Sequence, residues 1–383
     1  MDKLLVILST LGLSWSGQSG AAEKTEQPVS RVSGENKTLP FPQNRLRDFY
    51  REQAKEFIAS DDRNYSGMLN PFPGLDGGGW GHWGQNPESD NVDDRLNEID
   101  FGGVLMQATN HAEGWANKGV SVQAGKYSAV FDPEKLCFVD AWEGGLPEWS
   151  ARRYGITSGV TAKGKKVKGF PTGKWKIPQE MKTKYFGFYK THHGIIFGYR
   201  IGKTEIYEWV EGKGKLTYHR LINGKLPKGV TFTEKDLVRE SSMASKELTQ
   251  AGPARWSDKS VITQGKLGKP LPDSPYVIDT LTVPYRDLNP FKTPMRIGGV
   301  GTLSDGRIAV CTLMGDVWIV DGVDDTLKRL VWKRFASGLN QPLGLVVKDD
   351  QIHVIGRDQL TQLHDTNGDG EADFYECLTN QSP

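Results

Sequence analysis

The chain is poor in cysteine: Cys137, Cys311 and Cys377 are the three in 383 residues. An odd number so widely spaced makes no disulfide framework. Without CxxC or CxxCH there is neither a thiol redox pair nor a covalent c-type haem. At most one bridge can form within a monomer, and buried free thiols are the expected state. No apolar run reaches eighteen residues, so nothing beyond the N-terminus reads as a transmembrane span. Charge of either sign is not in excess: 48 Lys and Arg stand against 47 Asp and Glu. That balance makes no electrostatic case for nucleic acid or an anionic membrane as partner. HExxH, GxSxG, a P-loop and Cys–His clusters are all missing. No nucleophile or acid–base pair can be named from the sequence.

What is present is glycine (45), proline (20) and aromatic residues (11 Trp, 12 Tyr, 15 Phe), a mixture that suits a turn-rich β protein. The length allows two or three domains. Residues 1–22 read as an export signal, with Lys3, an apolar run from Leu4 to Leu13, and small residues at Gly20-Ala21-Ala22. Cleavage there makes the protein secreted or periplasmic; a retained signal anchor is the other reading. Residues 23–40 are polar and read as a disordered spacer. In 41–63, Leu46, Phe49, Tyr50, Gln53, Ala54, Phe57 and Ile58 form one stripe of an amphipathic helix.

From residue 64 to 262 the pattern is that of a β domain. Runs such as "KGVSVQAG", "YSAVFD" and "GIIFGYRIGKTEIYEWV" alternate and are broken by turn residues. The Lys-rich stretch 161–184 reads either as a solvated loop or as a basic loop for an acidic polysaccharide. "LDGGGWGHWG" (75–84) satisfies GxGxxG, but no strand precedes it and no helix follows, so it is no dinucleotide site. Its Trp80, His82 and Trp83 either cover the core or stack on a sugar. His192 and His193 are expected on opposite faces of a strand, which argues against joint metal ligation. Asp90, Asp93, Asp94, Glu98 and Asp100 form an acidic run that reads as solvated loop or as a second cation site.

Residues 303–321 and 347–365 repeat each other with a shift of 44: Ile308 meets Ile352, Val310 meets Val354 and Asp321 meets Asp365. That spacing, with an Asp-Gly turn, suits successive β-propeller blades. "DTNGDGEADFYE" (365–376) then matches the calcium-loop pattern. Asp365, Asn367 and Asp369 would offer side-chain oxygens, Glu371 its backbone carbonyl, and Asp373 a direct or water-bridged contact. Glu376 would close the shell, and Gly370 permits the bend. The strand-like residues before it exclude an EF-hand, so the expected role is a structural clamp. An Asx-rich turn without a cation is the competing reading.

The stretches "NPFKTPMRIGGVGTLSDGRIAVCTLMGDVWIVDGV" and "FASGLNQPLGLVVKDDQIHVIGRDQLTQLHDTNGDGEADFYE" together resemble the start of a glucose/sorbosone dehydrogenase-like β-propeller from large secreted bacterial proteins. Residues 75–145 are similar to the domain of unknown function that precedes such propellers. The resemblance implies six blades, and in the enzymatic members pyrroloquinoline quinone with calcium. Residues 263–383 hold at most two or three blades of about 44 residues, and none of the quinone-binding or catalytic motifs is matched. The expected fold is therefore mainly β: an N-terminal helix and β-sandwich-like domain, then an incomplete propeller with a calcium-like loop. The expected function is a calcium-stabilised exported binding module for carbohydrate or cell-surface material. A truncated quinone-dependent sugar dehydrogenase is the alternative.

Overall fold

The computed structural model describes residues 95–149, 159–170, 172–233, 238–270 and 276–381. The expected signal, spacer, amphipathic helix and "LDGGGWGHWG" stretch lie outside them, as do Asp90, Asp93 and Asp94. Two compact units divide the chain. Among the described residues one holds those from 99 to 148 and from 160 onward, the other residues 95–98, 149 and 159. In the smaller unit, the turn Arg95–Glu98 presents Asn97, whose amide brackets Trp149: Nδ2 donates to Trp149 O (3.2 Å) and Oδ1 accepts from Trp149 N (2.7 Å).

The larger unit is built from antiparallel meanders. Val104–Met106, Val120–Ala124, Tyr127–Asp132, Cys137–Glu143 and Lys165–Lys166 form a five-stranded sheet in that order. A second meander follows: Thr183–Thr191, Gly194–Ile201, Thr204–Glu211 and Thr217–Asn223. Its strands are apolar on both faces, as strands covered on both sides must be. Along Gly194–Ile201 the side chains of Ile195, Phe197, Tyr199 and Ile201 enter the main core. Ile196, pointing the other way, joins a smaller cluster with Tyr207, Trp209 and Leu248. The first sheet packs on the second meander through aromatic rings. Phe131 stacks on Phe197 at 4.1 Å, and Phe138 meets both edge-on at 5.4 Å. Each such ring contributes about 1.5–3 kcal/mol by burial, and ring geometry adds about 1 kcal/mol per pair.

The 44-residue echo corresponds to two further four-stranded meanders. The first is Ile297–Thr302, Ile308–Thr312, Val317–Asp321 and Leu330–Ala336. The second is Gly344–Lys348, Gln351–Ile355, Leu360–His364 and Phe374–Thr379. Ile308 pairs with Val320 and Ile352 with Leu363, so the turn between these strands is one residue shorter in the second meander. Alternation again decides the packing. In the first meander Ala309 and Cys311 face the main core, while Ile308 and Val310 face a second core with Trp256, Phe291, Trp318 and Trp332.

The expected division at 262–263 does not separate compact units. The last strand, Phe374–Thr379, hydrogen-bonds along Thr183–Thr191, pairing Phe188 with Tyr375 and Tyr189 with Phe374. The second and fourth meanders, with the short strand Arg239–Glu240 parallel to Thr217–Asn223, thereby become one nine-stranded sheet. Gly187 permits the joint: with a φ of 117°, any Cβ there would stand 1.9 Å from Tyr375 O. Among the described residues the blade-like meanders do not close into a barrel. One edge that an incomplete propeller would leave open, that of Phe374–Thr379, is paired here with another meander, which removes the aggregation hazard of that edge. Ile297–Thr302 and Gly344–Lys348 are still the outer strands of their sheets. All three cysteines are free and buried, as expected.

Candidate functional site

The loop after Leu360–His364 is folded by its own side chains. Asp365 accepts from the amides of Gly368 (2.7 Å), Asp369 (3.2 Å) and Gly370 (2.9 Å). Asn367 Oδ1 accepts from Asp369 N (3.1 Å), and Asp369 Oδ1 from Glu371 N (3.0 Å). Asp373 Oδ2 takes both the amide and the hydroxyl of Thr366, at 3.0 and 3.1 Å. Burial pushes the Asp373 pKa up, and the nearby Asp369 and Asp365 carboxylates push it the same way.

Asp365, Asn367, Asp369 and Asp373 are therefore gathered on one turn. The two glutamates of the pattern are used differently. Glu371 turns inward, and its carboxylate accepts from the amides of Arg255 (2.8 Å) and Trp256 (2.6 Å). Glu376 lies on the last strand, 2.8 Å from His364 Nε2. Among the described residues no three His, Cys, Asp or Glu side chains are disposed to hold a metal ion. Of the donors expected for calcium, the turn gathers the side chains of Asp365, Asn367, Asp369 and Asp373. Asp365 Oδ2 and Asp369 Oδ1 accept one amide each and keep a second lone pair, whereas Asp365 Oδ1 and Asp373 Oδ2 each accept two hydrogen bonds.

The loop is also bolted to the rest of the fold. Asn367 Nδ2 donates to Gly252 O (3.0 Å), Lys190 N to Asp373 O (2.7 Å) and Ala372 N to Phe335 O (2.8 Å). Beneath it Lys190 is buried, donating to Tyr375 Oη at 2.7 Å and lying over the rings of Trp256 and Tyr375. Burial pushes its pKa well down, with Arg255 and Arg334 adding to the effect. A depressed lysine can be a nucleophile. This one spends its donor and its charge on packing.

A cleft of about 380 Å³ lies at the His192–His193 end of the second meander, where three turns meet: Val122–Gly125, His192–Ile195 and Val210–Lys213. Gly212 lets the two sheets touch, since a Cβ there would fall 2.0 Å from Ala124 O. His192 and His193 are the central residues of a two-residue hairpin turn, both exposed, in place of the expected strand positions. Glu211 is the polar centre. Its Oε1 is 2.8 Å from Lys213 Nζ and its Oε2 is 3.6 Å from His219 Nε2. The Lys213 hydrogen bond holds the Glu211 carboxyl below its usual range, helped by His219 and His193. His219 stacks flat on its cross-strand partner Trp209 at 5.0 Å, and burial pushes its pKa down.

The lining offers amide, imidazole, carboxylate and ammonium groups beside Val122, Ile195 and Val210, but no Ser, Thr, Cys or Tyr. It can hydrogen-bond a polar ligand. It has no hydroxyl or thiol to attack one. The sequence reading missed Glu211, Lys213 and His219. Their signal was the alternation of "TEIYEWVEGKGKLTYH", which puts Trp209 and Glu211 on one face of a hairpin with His219 opposite Trp209.

Residues 129–208 match the model of a domain of unknown function, DUF6797. The match gives a domain, not an activity. It takes in the His192–Ile195 wall of the cleft and leaves out the other two. No curated protein matches the sequence. Among solved structures the chain is similar to one described as a streptogramin B lyase structure, at 11% identity over 76% of this chain and 86% of that one. The TM-score of 0.20 is too low for that likeness to carry an argument.

Proposed function

We propose that this chain is a non-catalytic binding module of an exported protein, and that the cleft between the three hairpin turns takes carbohydrate. The observation that supports this most is the cleft lining, where hydrogen-bonding side chains stand beside aliphatic ones and no hydroxyl or thiol nucleophile accompanies them. Such a surface suits the mixed polar and apolar faces of a sugar. Export rests on the sequence of residues 1–22. The Asp365–Glu376 loop acts as a clamp on residues 252–256, and calcium stabilises it through Asp365, Asn367, Asp369 and Asp373. Like charges gathered on one turn repel, and a divalent cation relieves that repulsion. The alternative, a quinone-dependent sugar dehydrogenase, needs a central site shared by a closed ring of blades. The edge-to-edge joint of the nine-stranded sheet speaks against it.

The test uses the full chain and a panel of neutral oligosaccharides, with Trp fluorescence and calorimetry as readouts. Saturable binding, weakened at least tenfold (about 1.4 kcal/mol) in Glu211→Gln/Lys213→Ala with unchanged melting, supports the cleft. Sugar oxidation on addition of calcium and pyrroloquinoline quinone overturns the non-catalytic reading. For the clamp, added calcium should raise the melting temperature, and Asp369→Asn should reduce that rise. A melting temperature indifferent to calcium and chelator removes calcium from the proposal.

A further inference from the structure

The Lys-rich stretch is not the loose solvated loop that its sequence suggests. Short strands at Lys165–Lys166 and Trp175–Lys176 fix it to the fold. Trp175 is turned inward, its indole N–H donating to Leu136 O and Tyr199 Oη at 3.0 Å. Its ring packs on Phe232 at 5.0 Å. The lysines between these anchors all face solvent.

The fold brings lysines from two further segments to the same place. The hairpin turn at Gly202-Lys203 donates its Gly202 amide to Lys182 O (2.9 Å), and Met181 and Pro227 pack over Gly202. Thr204 Oγ1 donates to Lys225 O (2.7 Å), which holds the turn carrying Lys225 and Lys228 against the first. Lys176, Lys182, Lys184, Lys203, Lys225 and Lys228 therefore crowd one end of the second meander. Among the described residues, the acids on these turns and strand ends are Glu180 and Glu205.

Four exposed lysines elsewhere pair with glutamates: Lys126 with Glu143, Lys163 with Glu148, Lys166 with Glu113, Lys213 with Glu211. Others, such as Lys215, Lys328 and Lys348, stand singly along the chain. Among the described residues the six at this end form no ion pair, and they converge from three turns. In a chain whose charges balance, that is a concentrated local excess. Rigid turns hold it, so the lysines cannot spread apart as they would on a flexible tail.

We propose that this lysine-bearing end is a binding surface for an anionic polysaccharide carrying carboxylate or sulfate groups. Three separate turns offer point charges along an extended track, which suits a linear ligand with regularly spaced anions. Nucleic acid fits less well, because single strands need exposed aromatic rings for base stacking and Trp175 is turned in. A membrane fits less well, because none of the exposed large apolar side chains among the described residues lies at this end. The surface is separate from the cleft. The two lie at opposite ends of the strand Gly194–Ile201, about 25 Å apart at the usual rise per residue.

The experiment measures binding of the full chain to heparin and to polygalacturonate, with dextran as the neutral control. Expected are saturable binding to at least one polyanion and none to dextran. Affinity should fall steeply as salt rises from 50 to 500 mM, as counterion release requires. Lys182→Glu/Lys203→Glu/Lys225→Glu should weaken binding more than tenfold with unchanged melting, whereas ion-paired Lys126→Glu should leave it within about twofold. The proposal is overturned if neither polyanion binds wild type, if the triple variant binds as wild type does, or if duplex DNA or anionic vesicles bind more tightly. Loss of polyanion binding with neutral-sugar binding intact separates this surface from the cleft.

Discussion

The two C-terminal meanders each bury an aspartate in the turn before the third strand, one position apart when those strands are aligned, and treat it in opposite ways. In the first, Asp316 precedes the third strand, and Arg334 on the fourth strand reaches it at 3.0 and 2.5 Å, both side chains fully buried. In the second, Asp358 lies in the corresponding turn. The residue in the register of Arg334 is Cys377, since Trp318 pairs with Arg334 as Thr361 pairs with Cys377. Both meanders slip register at this point, between Val317 and Trp318 and between Leu360 and Thr361. One repeat therefore buries an ion pair where the other buries a lone carboxyl beside a neutral thiol. Without an ionic partner, the Asp358 carboxyl is pushed by burial towards its protonated form.

Breaking the paired site should have the largest effect. Asp316→Ala leaves the Arg334 guanidinium buried over Trp256 and Phe291 with its counter-charge gone. Removing one partner of such a pair costs about 3–5 kcal/mol. Urea unfolding should show that loss, and a midpoint within error of wild type would mean that water already reaches the site. Replacing both residues by apolar ones of similar volume should cost much less, because no unpaired charge remains.

The lone site should answer to pH in place of mutation alone. Burial pushes the Asp358 pKa up to about 7, against smaller opposing contributions from neighbouring amides and Lys118. Lys118, Tyr185 and Cys377 face it, and burial holds both the Tyr185 hydroxyl and the Cys377 thiol well above their ordinary range. An unfolded aspartate titrates near 4. Between about pH 4 and 7 the folded chain keeps a proton that the unfolded chain has released, so stability falls as pH rises through that window and then levels off. The full effect is up to about 4 kcal/mol. Asp358→Asn should flatten this decline and leave the variant more stable than wild type at pH 8. A wild-type stability curve already flat from pH 4.5 to 8 would show that Asp358 ionises freely.

Much of this pairing of repeats was legible in the sequence, and its limits are physical. The shift of 44 and the alternation around Ile308 and Ile352 marked the strands, because a half-buried strand writes its period into neighbouring residues. The joint between Thr183–Thr191 and Phe374–Thr379 left no such mark. Its strands are nearly two hundred residues apart, and either could pair with any free edge. The calcium pattern located the loop and the φ of 90° at Gly370, but not the inward turn of Glu371, which depends on amides at 255 and 256. The hairpin at His192-His193 could have been read from Gly194 and the flanking alternation. Treating the pair as strand residues hid the cleft. The lysines read as a composition, whereas their convergence depends on where the turns at Gly202 and Lys225 fold.

The connections between third and fourth strands carry the comparison to its smaller effects. Both are Asp-rich turns. Asp324 in the first accepts from the Thr326 amide (2.8 Å), the Thr326 hydroxyl (2.7 Å) and the Leu327 amide (2.9 Å). Asp365 in the second accepts from three amides, as described. Asp365→Ala should cost about 1–2 kcal/mol as the turn's amides lose their acceptor, and more in calcium than in chelator if the clamp binds the ion.

Asp324→Ala is the control for that claim and has the smallest expected effect. The Asp324 carboxylate is fully exposed, and its hydrogen bonds to Thr326 hold its pKa below the ordinary value. Water can replace those bonds, so the melting temperature should move by less than about 2 °C. The shift should be the same with calcium and with chelator, because Asp321, Asp324 and Asp325 do not follow the calcium-loop spacing of residues 365–376. The comparison of the two variants is therefore sharper than either alone. Calcium dependence confined to Asp365→Ala assigns the ion to the second connection. Equal calcium dependence in both would trace the effect to the general screening of acidic turns, and the clamp would then be an Asx-rich turn that needs no cation.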